Sequence, residues 1–244
     1  MKLLILVIYS KSKEYDQMLT IQRSYLHKFP NVTSYFIDLK EDQQNPIEID
    51  DDFIYVKGKD TFSNITYKTI AALEYAIKNI NFDYMIRTNM STIINIPALV
   101  SYCSELRKTK IYTGGHRLTL DDNDIKNVIK ERSLWGTKYI QGTSIIMSHD
   151  VVTFMIKNKS KIRFDIVDDV SIGIFIDHYL PSAYYPEFAS YFIVTQNLKP
   201  SEVKHRYVFF RNRAYKNRTG DVKHMKIIRN VLYKNRHTKK LRLI

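Results

Sequence analysis

Residues 164–176 read FDIVDDVSIGIFI, with two adjacent carboxylates, Asp168 and Asp169, directly before an apolar run that resembles a buried helix. The unpaired N–H groups and the positive dipole end of a helix N-terminus keep such carboxylates ionised and oriented. An ionised carboxylate held at the mouth of a fold can act as a general base. The same pair could also be a plain helix cap, so this stretch alone leaves both interpretations open.

The composition is that of an ordinary globular protein. The 244 residues can form one large core or two small ones, and 44% hydrophobic and 26% charged residues exclude a disordered or fibrous chain. The single cysteine, Cys103, excludes a disulfide framework and fits a reducing compartment. The apolar run at residues 3–9 is too short for a signal peptide or a transmembrane segment. We therefore expect a cytoplasmic protein, in the host cytoplasm if the source is a virus.

The net charge of +13 predicts an anionic partner. From residue 199 onward Lys, Arg and His dominate, and only Glu202 and Asp221 oppose them. A nucleotide diphosphate, nucleic acid or anionic lipid would suit this region, and a solvated basic tail is the alternative. The change in composition predicts a main domain over residues 1–198 and a basic extension over residues 199–244.

Apolar runs alternate with helical patterns along the chain. The predicted strands cover residues 3–9, 32–38, 53–57, 82–87, 110–113 and 139–147. The predicted helices cover residues 14–27, a segment capped by Ser63 or Asn64, residues 97–106, and a segment capped by Ser148. This order predicts an α/β fold with a mixed, mainly parallel sheet flanked by helices.

Polar residues follow three of the predicted strands. They are residues 9–11 (YSK), 87–91 (RTNMS) and 114–116 (GGH). Ligands bind beyond the carboxyl ends of strands in open α/β sheets, so these ends mark the expected site. The sequence contains no Walker loop, dinucleotide glycine fingerprint, nucleophile elbow or zinc-binding helix motif, which excludes the hydrolases that depend on them.

Five short motifs occur in a recognisable order between residues 2 and 180. Residues 21–25 (IQRSY) and 64–69 (NITYKT) are similar to the patterns Ile-Arg-X-Thr-Trp and Asn-Leu-Thr-X-Lys-Thr. Residues 82–88 (FDYMIRT) resemble a strand that, in a known enzyme family, leads into a metal-binding Asp triplet. Residues 139–142 (YIQG) and 168–173 (DDVSIG) resemble Tyr-X-X-Gly and Glu/Asp-Asp-Val-X-X-Gly. Together they resemble the inverting GT-A glycosyltransferases of the β-1,3-galactosyltransferase and Fringe type.

The resemblance implies a GT-A-like fold and a transferase of hexosyl or pentosyl groups. Such an enzyme moves a sugar from a nucleotide-diphosphate donor, usually UDP-linked, to a hydroxyl group of a glycan or protein. Asp169 corresponds to the family's base, and Asp168 is its helper or the alternative base. A single in-line displacement would invert the anomeric carbon without a covalent nucleophile.

The chain departs from the family at the metal site. Asn89, Met90 and Ser91 stand where the family has Asp residues that hold a divalent metal. An amide, a thioether and a hydroxyl are poor ligands for Mg²⁺ or Mn²⁺, so no metal ligand is assigned, although a metal is still possible. Arg or Lys could neutralise the departing diphosphate instead, as in the metal-independent GT-A enzymes that residues 82–106 loosely resemble.

The position of each polar residue predicts its role in the site. We expect the basic extension to complete the donor site through His205, Arg211, Arg213 and Arg218. The other predicted donor-binding residues are Tyr9 and Ser10 near the nucleobase, Lys68 and Arg87 near phosphate, and Thr88, Asn89 and Ser91. The predicted acceptor-binding residues are Trp135, Gln141 and Gly142. Each of these cations could instead be a surface charge, and each aromatic ring could simply pack in the core.

Two other functions fit the sequence. A catalytically inactive protein that binds a sugar or nucleotide would explain the loss of the acidic triplet, whereas the retained Asp168 and Asp169 oppose it. A nucleic-acid-binding protein would explain the charge, but the sequence has no helix-turn-helix, zinc or RNP signature, so no nucleic-acid partner is expected. Donor hydrolysis with and without EDTA would separate an enzyme from an inactive binder.

Overall fold

The computed structural model describes residues 1–121, 131–183, 186, 188–214 and 218–234. The helices are α1 (Lys13–Leu26), α2 (Ile65–Asn79), α3 (Ile96–Glu105), α4 (His149–Lys157), α5 (Asp168–Tyr179) and α6 (Arg218–Tyr233). The strands are β1 (Leu3–Ile8), β2 (Val32–Lys40), β3 (Ile47–Asp50), β4 (Phe53–Lys57), β5 (Tyr84–Asn89), β6 (Thr92–Ile94), β7 (Tyr112–Gly114), β8 (Arg117–Thr119), β9 (Lys138–Ile140), β10 (Ile145–Ser148), β11 (Tyr191–Val194) and β12 (Phe209–Asn212).

A seven-stranded sheet in the order β3-β4-β2-β1-β5-β10-β7 forms the centre of the molecule. Strands β4, β2, β1 and β5 are parallel, whereas β3 and β10 run antiparallel to their neighbours. Successive residues of β1 alternate between two hydrophobic clusters, one on each face of the sheet. Helices α1, α3 and α6 cover one face, and α2, α4 and α5 cover the other. The predicted α/β architecture is confirmed.

The single strand predicted over residues 139–147 is wrong. The chain forms β9, which pairs with β8, and then β10, which joins the central sheet between β5 and β7. Because the two strands belong to different sheets, the backbone turns between them, and the N–H of Ser144 donates to the carbonyl of Gln141 over 3.1 Å. This turn places Gln141 and Gly142 next to the carboxyl end of β5 in the central sheet.

Two predicted side-chain caps are also absent. Asn64 occupies the residue before α2, but its side chain donates to the carbonyl of Lys59 over 2.8 Å. Ser148 precedes α4, and its hydroxyl donates to Asp150 over 2.6 Å. Both residues lie at the predicted helix starts without capping the backbone.

The change in composition at residue 199 is not a break in the core. Strand β12 lies between β11 and β6, and it is parallel to the first and antiparallel to the second. The ring of Tyr233 in α6 stacks on Tyr25 in α1 with 4.6 Å between ring centroids. The described part of the basic segment therefore packs in the same hydrophobic cluster as β1 and α1.

Within the described ranges, every helix is too short or too polar to cross a membrane. The cellular location of the chain stays a prediction.

Candidate active site

The carboxyl ends of β1 and β5 lie side by side, because the two strands are parallel and Ile8 pairs with Asn89. Tyr9 and Ser10 follow the first strand, and the turn at Met90 and Ser91 follows the second. This edge is where a parallel sheet binds its ligands. The predicted strand-end residues therefore share one region of the molecule.

Asp168 begins α5 and is enclosed by partners. Its side chain is 1% exposed, and both of its oxygens accept from Arg87: Nε donates to Oδ2 and Nη2 to Oδ1, each over 2.8 Å. The hydroxyl of Thr69 donates to Oδ2 over 2.6 Å. A carboxylate with these bonds and no access to solvent is not positioned to take a proton from an acceptor. This geometry argues against Asp168 as the alternative base.

Asp169 is half-buried and held mainly by backbone groups. Its Oδ2 accepts from the N–H of Gly142 and its Oδ1 from the N–H of Val170, each over 2.9 Å. Burial and the neighbouring Asp168 raise the pKa of Asp169, while Arg87 and the two N–H groups act in the opposite direction. The result is an oriented carboxylate with unused lone pairs at the site edge, as a general base requires.

The glycine at position 142 is required by space. A Cβ built there would lie 2.5 Å from Nη1 of Arg87 and 3.1 Å from Oδ2 of Asp169. The carbonyl of Gly142 also accepts a short hydrogen bond from Nη1 of Arg87. The Gly142 backbone therefore links Arg87 to Asp169.

Arg87 does not point into an open donor site. Besides Asp168 and the Gly142 carbonyl, it donates from Nη1 to Oδ1 of Asn89 over 2.6 Å, and it is 2% exposed. The predicted phosphate contact of Arg87 is therefore corrected: burial at the centre of this network turns the guanidinium away from solvent. Thr88 donates to the carbonyl of Thr143 over 2.8 Å, so it too is a structural link.

Two arginines converge on Ser91. Arg211 donates from Nη1 to the Ser91 hydroxyl over 2.8 Å, and Nη1 of Arg218 lies 3.5 Å from the same oxygen. Mainly burial, and also the nearby Arg218, lower the pKa of Arg211. Arg218 also pairs with Asp221 over 3.0 Å, and Arg213 is exposed on the same strand end. The structure thus places basic side chains beside the turn that follows β5.

The residues of this turn do not fit a divalent metal. The side-chain oxygens of Asn89 and Ser91 both accept from arginine, and Met90 is buried. The described part of the chain contains no group of three or more His, Cys, Asp or Glu residues able to hold an ion. Guanidinium groups are present where carboxylate ligands would be needed.

Tyr9, Ser10 and Lys68 lie together at the end of β1. Ser10 and Lys68 line a cavity of about 210 Å³ with Asp60 and Phe62. The ammonium of Lys68 donates to the Tyr9 carbonyl over 2.7 Å and to Asp60 over 3.1 Å. Lys68 is therefore a buried ion-pair partner at the wall of the cavity, not the free phosphate-binding cation that was predicted. The Tyr9 hydroxyl donates to Asp16 over 2.5 Å, which fixes the ring.

Two predicted site residues have other neighbours. His205 lines a separate groove against α3, and its carbonyl accepts from Asn95 over 2.7 Å. The exposed ring of Trp135 faces the guanidinium of Arg132 at 5.5 Å. Gln141, in contrast, lies in the turn beside Asp169, and its Oε1 accepts from the Tyr191 hydroxyl over 3.1 Å.

Three further side chains at this edge carry no role in the sequence-based prediction. Thr69, which donates to Asp168, belongs to the motif at residues 64–69. The motif marks this position in the sequence, but it does not indicate the role of the side chain. Tyr191 joins Gln141 to Thr143 and lies near Arg211, but no sequence pattern marked its strand. Asp38 lies beside Lys68 at the end of β2, and mainly burial raises its pKa to about 6.

Comparisons with known proteins identify the family of the chain. A family model described as Galactosyltransferase matches residues 38–184, more than half of the chain. The chain is 23% identical over 137 residues to the UDP-GalNAc:beta-1,3-N-acetylgalactosaminyltransferase 2 of Xenopus laevis, covering 54% of this chain and 28% of that protein. It is 22% identical over 196 residues to the Hydroxyproline O-galactosyltransferase GALT6 of Arabidopsis thaliana, covering 70% of this chain and 28% of that protein. The chain thus spans little more than a quarter of the length of these curated relatives.

A solved structure supports the fold. The glycosyltransferase involved in the glycosylation of the major capsid of PBCV-1 aligns with a TM-score of 0.51 and 10% identity, covering 93% of this chain and 100% of that one. The predicted resemblance is confirmed: the chain belongs to the galactosyltransferase family and has a GT-A-like fold.

Proposed function

We propose that this protein transfers a sugar from a nucleoside-diphosphate donor to a hydroxyl group with inversion, and that Asp169 is the general base. One observation supports this above all: the half-buried carboxylate of Asp169 is fixed by the Gly142 N–H, at the sheet edge where β1 and β5 end. Burial and the neighbouring Asp168 raise the pKa of Asp169, which makes its carboxylate a stronger base than that of an exposed aspartate.

The reaction follows from this placement. Asp169 accepts the proton of the acceptor hydroxyl, and the hydroxyl oxygen attacks the anomeric carbon of the donor sugar. The bond from that carbon to the phosphate oxygen breaks, and its electron pair leaves with the nucleoside diphosphate. Because one displacement completes the transfer, the anomeric configuration inverts and no residue forms a covalent intermediate.

We assign the neutralisation of the departing diphosphate to Arg211 and Arg218. Both approach Ser91, at the turn after β5, and guanidinium groups bind phosphate oxygens through paired N–H donors. Positive charge fixed near the leaving group stabilises the transition state. The reaction would then proceed without a divalent metal, in keeping with the poor fit of Asn89 and Ser91 to one.

A UDP-linked donor is the substrate class that we favour. The name of the Xenopus laevis relative includes UDP-GalNAc, and the cavity lined by Ser10 and Lys68 lies next to the end of β1, where a nucleobase could bind. For the acceptor, one relative is named for a glycan linkage and the other for hydroxyproline, so both a glycan and a protein hydroxyl fit the proposal.

The test is a panel of nucleotide sugars assayed for transfer and donor hydrolysis, with and without EDTA. We expect turnover of at least one donor that EDTA does not abolish, and a loss of roughly 100-fold or more in the Asp169→Asn variant, since general-base catalysis contributes about 10²–10⁴-fold. Nucleoside-diphosphate binding should survive in that variant. Full activity of Asp169→Asn would refute the base assignment, and abolition by EDTA would refute metal independence.

A catalytically inactive sugar-nucleotide binder is the second candidate. The replacement of the acidic triplet by Asn89, Met90 and Ser91 favours it. In that case the same panel would show thermal stabilisation by a nucleotide sugar without any product.

A further inference from the structure

We propose that Arg87 is a positioning residue for the base: clamped by Asp168, it holds the Gly142 peptide in the place from which that peptide fixes Asp169. The inference rests on the proposed role of Asp169.

The clamp is fully enclosed. Arg87 is 2% exposed and Asp168 is 1% exposed, and two parallel hydrogen bonds of 2.8 Å join them. The hydroxyl of Thr69 on α2 also donates to Oδ2 of Asp168 over 2.6 Å. A buried ion pair is weak evidence of a stabilising role, because well-packed apolar residues often serve stability as well or better. Its presence next to the reacting edge therefore needs another explanation.

Gly142 connects the clamp to the base. Its carbonyl accepts from Nη1 of Arg87, and its N–H donates to Oδ2 of Asp169. The same Nη1 donates to Oδ1 of Asn89, which ties the end of β5 to the arrangement. A shift of Arg87 would move the Gly142 backbone and with it the carboxylate.

The two members of the clamp also act on Asp169 in opposite electrostatic directions. The groups that face Asp169 are Asp168 from its own helix, Arg87 from β5, and the N–H groups of Gly142 and Val170. Asp168 raises the pKa of Asp169, and Arg87 lowers it. Because these opposite shifts follow from charge alone, the positioning role is tested by a variant that keeps the charge of Arg87 and changes its geometry.

The experiment compares Arg87→Gln and Asp168→Asn in pH profiles of kcat/KM from pH 4.5 to 9, with folding checked by thermal melts. Activity falls at low pH when Asp169 becomes protonated. We expect Arg87→Gln to move this acid limb to higher pH and Asp168→Asn to move it to lower pH. Arg87→Lys keeps the positive charge but loses the paired N–H donors of the guanidinium group. We expect the acid limb of this variant to stay at nearly the same pH, while kcat falls by roughly 10- to 100-fold because the base is misplaced.

Two controls keep the test decisive if a single variant unfolds. The double variant Arg87→Gln/Asp168→Asn leaves a neutral hydrogen-bonding pair, and it should fold with low kcat. Thr69→Val removes one bond to Asp168 without changing any charge, and it should lower kcat by a few-fold with the limb unmoved.

Several results would overturn the inference. Arg87 would be a structural residue if the acid limbs of Arg87→Gln and Asp168→Asn moved in the same direction. It would also be a structural residue if the activity of the variants fell only in proportion to their folded fraction. Weaker binding of UDP by Arg87→Gln would make it a donor contact. Failure of the proposed function looks different, because Asp169→Asn would then retain activity whatever Arg87 does.

Discussion

The N–H of Gly142 donates to Oδ2 of Asp169 over 2.9 Å, across 27 residues of sequence. The proposed base is therefore oriented by the turn between β9 and β10 as well as by its own helix. That turn exists because β9 and β10 belong to different sheets. The chemistry assigned to α5 thus depends on a backbone arrangement that lies outside it.

Gly142→Ala should reduce transfer much more than it reduces stability. The new Cβ would approach Nη1 of Arg87 to 2.5 Å and Oδ2 of Asp169 to 3.1 Å, so the base has to move. A displacement of about 1 Å can lower kcat by about 100-fold. The measurement is kcat together with the melting temperature.

Gly136→Ala is the matched control. Gly136 has a φ of +88° with open space around it, so alanine there strains the backbone without touching the site. We expect a stability loss of about 1 kcal/mol and unchanged kcat for the folded fraction. Equal losses of kcat in both variants would mean that Gly142 matters only for folding.

Arg211→Gln should weaken the binding of a nucleoside diphosphate. A hydrogen bond to a charged group contributes about 1.5–3 kcal/mol, so Kd should rise roughly 10- to 100-fold. Isothermal titration with UDP in EDTA measures it, and the remaining affinity should depend less on salt.

Arg206→Gln provides the charge-matched control for that experiment. Arg206 lines the groove against α3 with His205, and Ser91 does not line that groove. Its loss should leave Kd within about two-fold of the original value, which is within a surface effect of about 0.5 kcal/mol. If both substitutions weaken UDP binding equally, general positive charge accounts for the affinity and the two-arginine assignment is wrong.

Asp38→Asn should change the free energy of unfolding more favourably at neutral pH than at acidic pH. Mainly burial raises the pKa of Asp38 from 3.8 to about 6, so the folded state holds this proton more tightly than the unfolded chain does. The stability that this proton provides is complete below the unfolded pKa of 3.8 and is lost as the pH rises through about 6. Urea unfolding at pH 4.5 and pH 7.5 should show the variant gaining on the original protein at the higher pH. A difference that does not change with pH would refute the shifted pKa.

Local patterns were sufficient to predict most of the fold. The apolar run of β1 and the helical spacing in α2 predict their elements within a few residues, because each element buries a regular face. The start of α5 at Asp168 followed from the acidic pair in front of an apolar run. These features depend on neighbours in sequence.

The site was harder to predict because its contacts are distant in sequence. Asp168 contacts Arg87, 81 residues away in sequence, and Thr69, 99 residues away. The spacing of the residues therefore does not show whether Asp168 or Asp169 is the buried acid. The break between β9 and β10 depends on sheet membership, which the apolar run at residues 139–147 does not encode. The composition predicts that the basic segment extends the domain, yet β12 pairs inside a sheet with β6 and β11. In each case tertiary pairing overrides the local pattern.

The most direct test of the central claim is the stereochemistry of transfer. The donor sugar and the product formed by the original protein would be compared by proton NMR, using the coupling constant of the anomeric proton. A general base at Asp169 and a single displacement predict that an α-linked donor gives a β-linked product. Retention of the donor configuration would contradict the account.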